Sequence, residues 1–176
     1  MFHKITRFAL VAAVAFSSLA LLPATSRAGV TQYADNYQEY RAYVYTYSGR
    51  SMLYGLPYAI ENEMASGVSV AQWNQLNTEL LWTTTVRNQT TAALKHAHQA
   101  LSQNDNNQWQ NCTEDLVSAL DGCELLLLFY DSIDNPNQSR VNAVRSAIFY
   151  LEIAVQNSAE AYLIGVANQG NRVPRP

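Results

Sequence analysis

Basic charge is scarce in this chain. Its 176 residues hold 11 Lys and Arg against 14 Asp and Glu. Three of the basic residues, Lys4, Arg7 and Arg27, fall in a leader-like opening. Without them 8 basic residues face 14 acidic ones, a net charge of −6 with His neutral, and Lys95 is the one lysine left. No basic run remains to follow a phosphate backbone or an anionic membrane, which argues against nucleic acid as a partner.

Long apolar runs are also absent, with one exception. FALVAAVAFSSLALL, Phe8 to Leu22, follows Lys4 and Arg7 and is shorter than the roughly 20 residues of a bilayer span. Pro23 breaks it, and Ser26 and Ala28 offer small residues to a leader peptidase. Residues 1–28 therefore read as a cleaved signal peptide, and the expected product is exported, periplasmic or secreted, with no stable membrane anchor after cleavage. The 148 residues that follow suffice for one domain, 29–170, with a polar tail at 171–176.

Catalytic and metal signatures are missing as well. There is no CxxCH, no HExxH, no Gly-rich phosphate loop and no ExxH pair, so neither an enzyme nor a cofactor is expected. His96 and His98 stand two apart, which on a helix turns them to nearly opposite sides and keeps them from sharing one ion. Only two cysteines occur. Cys112 and Cys123 are eleven apart, about 16 Å along a continuous helix, against at most about 6.8 Å between the Cα atoms of a disulfide. The expectation is two buried, unpaired thiols; Asp121 and Gly122 offer the break that pairing would require.

What is present is helical periodicity. Ser69 and Gln72 form a capping-box pattern that starts one long helix and carries it to the SQNDNN turn, with Gly67 ending the element before it. A second runs from about Asn107 through Leu116, Leu120, Leu127 and Tyr130 to DNPN, where Pro136 denies Asn135 a helical conformation. A third follows, with Val141, Val144, Ile148, Leu151, Val155, Tyr162 and Val166 at spacings of three, four or seven, towards Gly170. The fold class predicted is all-α: an up-down-up-down four-helix bundle of long helices, the first kinked near Gly49 to Pro57.

That first helix is rich in tyrosine: eight of the chain's eleven lie between Gln32 and Tyr58. Tyr33, Tyr40, Tyr47 and Tyr54 recur every seven residues and read as a core stripe, which leaves Tyr43 and Tyr45 as candidates for exposed contacts. The following helix, traced from Trp73 and Leu80 through Thr84, Arg87, Thr91, Leu94, His98 and Leu101, places a charge on its nominal core face. Either Val86 turns in and Arg87 snorkels to solvent, or Arg87 is buried and paired.

Two functional classes follow. One is an exported, non-catalytic bundle that acts through protein contacts or scaffolding. The other is a binder of a small anionic or aromatic molecule in a polar, tyrosine-lined interior, with Tyr40, Tyr47, Thr84, Arg87, Thr91 and His98 as its lining. The N-x-S/T triplets at Asn88, Asn111 and Asn137 mark glycosylation only in a eukaryotic source.

Overall fold

The computed structural model describes residues 27–103 and 105–167, with side chains from Tyr37 onward. The expected signal peptide, apart from its last two residues, and the tail at 171–176 lie outside the described residues, as do the Tyr33 side chain and the stop at Gly170. Five helices follow one another: α1 (Arg27–Tyr54), α2 (Leu56–Ala65), α3 (Val70–Gln103), α4 (Asn107–Asp131) and α5 (Gln138–Ala167). The described residues hold no strand. None of these helices is long and apolar enough to cross a membrane.

The local signals act where the sequence puts them. Gly55 separates α1 from α2, and Pro57 sits in the first turn of α2, where its missing N–H has no helical partner to lose. Gly67 takes φ +88°, a left-handed turn that frees the chain to reverse into α3. Ser69 and Gln72 cap each other: the Ser69 N–H donates to Gln72 Oε1 at 3.1 Å and the Gln72 N–H to Ser69 Oγ at 3.3 Å. Asn135 adopts φ +55° before Pro136, and Asn137 Oδ1 accepts from the Ser139 and Arg140 N–H groups to open α5.

Short links force neighbours antiparallel. α1 packs on α5 and α3, α4 packs on α3 and α5, and α2 lies on α3. The four long helices thus form a square in which α1 and α4 run parallel across one diagonal. Levels are set by contacts through the core: Trp109 Nε1 donates to Glu39 at 3.1 Å, and Thr46 meets the Cys112 thiol.

The core corrects the sequence reading of two helices. On α1 the buried face is Glu39, Ala42, Thr46, Gly49 and Leu53, while Tyr40, Tyr47 and Tyr54 are exposed. Tyr43 and Tyr45 are half-buried against the core, the reverse of the expectation. On α3 the buried line is Leu76, Glu79, Thr83, Val86, Thr90, Ala93, Ala97 and Ala100, one residue away from the line traced through Leu80, Thr84, Arg87 and Thr91. The reason is size. Small residues admit close helix approach, so the large rings are left outside: a Cβ added to Gly122 of α4 would stand 2.5 Å from Val86 Cγ1.

Threonine is tolerated inside because its hydroxyl is satisfied within its own helix. Thr46 donates to the Ala42 carbonyl at 2.7 Å, Thr83 to Glu79 at 2.9 Å and Thr90 to Val86 at 3.0 Å. The methyl groups are then what the core sees.

α4 is unbroken through Asp121 and Gly122, and Cys112 and Cys123 are free and buried. Desolvation pushes both thiols up to about 12. The unfolded chain gives up these protons above about pH 8.5 while the folded chain keeps them. The stability so gained is whole below that pH and is lost as pH rises toward 12. Urea titrations should show a falling unfolding free energy from pH 9 to pH 11, and a shallower fall in the Cys112→Ala/Cys123→Ala protein. Alkylation without reductant should leave the native chain unlabelled at pH 9 and add two labels once it is unfolded. Identical slopes for the two proteins would sink the assignment.

Candidate functional site

Two features stand out from the bundle: a polar cavity at one end and an aromatic outer face. The cavity forms where α2 ends, α3 begins and the α4–α5 link turns. Its volume is about 350 Å³, and its walls include Glu63, Gln72, Gln75, Leu76, Ile133, Asp134, Asn135 and Asn137. Glu79 and Arg140, both buried, close its floor.

Arg140 is held there by two carboxylates. Its Nη2 lies 2.9 Å from Glu63 Oε2 and its Nε 2.9 Å from Glu79 Oε1, an ionic contact in which the Nε–H makes no aligned hydrogen bond. Tyr130, the last core residue of α4, donates its hydroxyl to Glu79 Oε1 at 2.6 Å. Burial raises the Glu79 carboxyl above the ordinary carboxylate range, opposed by the Tyr130 hydroxyl and the Arg140 charge. Burial likewise raises Tyr130, reinforced by its bond to Glu79. Two carboxyl groups, of Glu63 and Glu79, therefore flank one guanidinium, and Asp134 stands on the wall of the same cavity.

The opposite end carries a second polar cluster. Glu39 and Trp109 are buried together, Thr113 and Ser158 hydroxyls meet at 2.8 Å between α4 and α5, and Asn106 Nδ2 donates to the Tyr162 carbonyl at 3.0 Å. His96 is used here, with Nδ1 2.7 Å from Gln108 Oε1 and Nε2 3.6 Å from Asp115. Desolvation raises Asp115, with His96 pulling the other way. His98, two residues on, is exposed on another side of α3.

The residues expected to line an interior are gathered, but on the outside. Tyr40 and Tyr47 project from α1 beside α3, and Thr84, Arg87, Thr91 and His98 lie on the α3 face that meets them. Arg50 Nε donates to Thr91 Oγ1 at 3.1 Å, which ties the two helices along this seam. Tyr40 is 65 % exposed, Tyr47 53 %, Tyr54 46 % and Tyr58 51 %. Val86 is fully buried and Arg87 snorkels: its guanidinium lies 5.6 Å from the Tyr58 ring centre and reaches the Asn88 amide oxygen at 3.5 Å. Arg50 lies over Tyr54 at 4.5 Å, and Arg41 contacts Tyr37 and Tyr45 at 5.3 and 5.5 Å. Arg41, Arg50 and Arg87 have no carboxylate partner among the described residues.

Sequence reasoning missed the Glu63, Glu79, Tyr130 and Arg140 cluster. The signal that could have found it is Glu79 itself, one turn before Thr83, Val86 and Thr90 on the small-residue line. No protein family model, curated protein or solved structure matches the chain. The functional reading therefore rests on its own geometry.

Proposed function

We propose that this chain is an exported, non-catalytic helical bundle that acts through protein contact, with the outer α1/α3 seam as its contact face. The observation that carries this is the row of half-exposed tyrosines interleaved with arginines whose charge no carboxylate neutralises. Tyrosine and arginine are the side chains that interface hot spots favour, because they bring large, rigid area with a polar end. A core role cannot explain rings that stand in solvent. Export is supported by the leader-like first 28 residues.

A photo-crosslinking amino acid at Tyr47, in cells that make the protein, tests the reading. One adduct of discrete mass is expected from position 47 and none from position 149, where Phe149 is equally exposed on α5. No adduct at position 47, or the same smear from both positions, would sink it.

A further inference from the structure

We infer that the partner of the α1/α3 seam is a second copy of this chain, engaged through the outer edge of its α4, so that copies join head to tail. The inference rests on the contact reading above and adds the identity of the partner. It starts from how charge is divided over the square. The segments 40–54 and 80–103, which build the seam, carry Arg50 and Arg87 on it and no Asp or Glu, while Arg41 turns to Tyr45, which stacks on Tyr150 of α5. α4 carries Glu114, Asp115, Asp121, Glu124 and Asp131 and no Lys or Arg. The seam is cationic and the outer edge of α4 anionic.

The two surfaces also share a repeat. Tyr40, Tyr47 and Tyr54 form a row at intervals of seven on α1, and Glu114, Asp121 and Leu128 form the same row on α4, with Leu125 beside it. Leu125 and Leu128 are exposed, with Leu128 at 64 %. Glu114 and Asp121 have no ion-pair partner among the described residues. Across the core Glu39 meets Trp109 and Thr46 meets Cys112, so Arg50 stands at the level of Leu116 to Leu120, between Glu114 and Asp121, and Tyr58 at the level of Glu124 to Leu128. Because α1 and α4 run parallel, α4 of a second copy laid along the seam without reversal sets Arg50 between the carboxylates of Glu114 and Asp121 and brings Leu125 and Leu128 to the Tyr58 end of the seam. Two different surfaces meet, so a dimer still has one seam and one edge free and can add further copies. Opposite charge sets the approach, and the apolar row supplies the burial.

Sedimentation velocity on the mature protein, with and without added salt, reads the proposal. At low salt the mass should grow with concentration past the dimer, and in molar salt it should fall back toward one chain as the charges are screened. Two variants fix the polarity: Tyr47→Ser/Tyr54→Ser blinds the seam and Leu125→Ser/Leu128→Ser blinds the edge, with helicity checked by circular dichroism. Each alone should be a monomer, and their mixture should stop at a one-to-one dimer, since one intact seam meets one intact edge. A wild-type protein that stays monomeric at every concentration overturns the inference, as does either variant forming a dimer by itself. A monomer that still gives a foreign adduct from position 47 would sink self-assembly and leave the contact reading standing. A monomer without an adduct sinks both.

Discussion

Replacing Arg140 with methionine should lower the unfolding free energy by about 3 to 5 kcal/mol, the range for stranding one member of a buried pair. Arg140 and Glu79 are both buried, and the guanidinium is the cation that faces Glu79 on the cavity floor. Removing it leaves a carboxyl group whose affinity for protons is already raised by burial. The remedy for the variant is to keep Glu79 protonated, so its deficit should shrink as the pH falls from 7 towards 5. Removing both charges in Glu79→Leu/Arg140→Met should recover most of the loss, because no charge is then left alone in the floor. Urea denaturation of the two single variants and the double closes the cycle. A double variant as unstable as the sum of the singles would mean that the two groups are not coupled.

Trp109→Ala should cost about as much, roughly 3 to 5 kcal/mol, for a different reason. Trp109 heads the fully buried side chains by volume and lies where α4 faces Glu39 of α1 through the core. Truncation opens a cavity among helices that meet through small residues and cannot easily collapse into it. It also removes the indole N–H that donates to Glu39 at 3.1 Å. Trp109→Phe separates these effects by keeping most of the volume and losing the donor. Tyr47→Ala is the control: exposed on the seam, it should stay within about 0.5 kcal/mol of wild type. Thermal and urea unfolding compare them directly, and equal costs at positions 109 and 47 would contradict the buried and exposed faces described above.

The helices themselves were legible in the sequence because their ends carry chemistry. Ser69 with Gln72, Gly49 to Pro57, and Pro136 with Asn135 act locally, so they mean the same thing before and after folding. Continuity of α4 was legible too, and with it the separation of Cys112 from Cys123. Faces were not. Spacing by seven shows that Tyr40, Tyr47 and Tyr54 share a side of α1, but it is silent on which side. The rule that large apolar groups go inside chose wrongly, because the inner side of α1 is Ala42, Thr46 and Gly49. On α3 the prominence of Trp73, Leu80 and Leu94 drew the trace one residue off the line of Thr83, Val86, Thr90 and Ala93. The residues expected to line an interior thus share one face, on the outer side of the helix wall. Arg140 was invisible because its partners, Glu63 and Glu79, lie some sixty to eighty residues away in the chain, and no local pattern joins them.

Buried hydroxyls along the middle of α3 bond to their own helix, at Thr83 and Thr90, so they ask nothing of the helices opposite. The demanding polar contacts sit near the two ends, Glu79 with Tyr130 and Arg140 at one and Glu39 with Trp109 at the other. Away from the close contacts at Gly122 and Gly49, a core of alanine, threonine and leucine repeats tolerates sliding by a turn, about 5.4 Å, since one methyl replaces another. The end clusters do not, because such a slip carries every donor out of reach of its carboxylate at once. They work as a pair of index pins in a jig: the apolar middle holds the helices together, and the pins select the single alignment in which both ends engage.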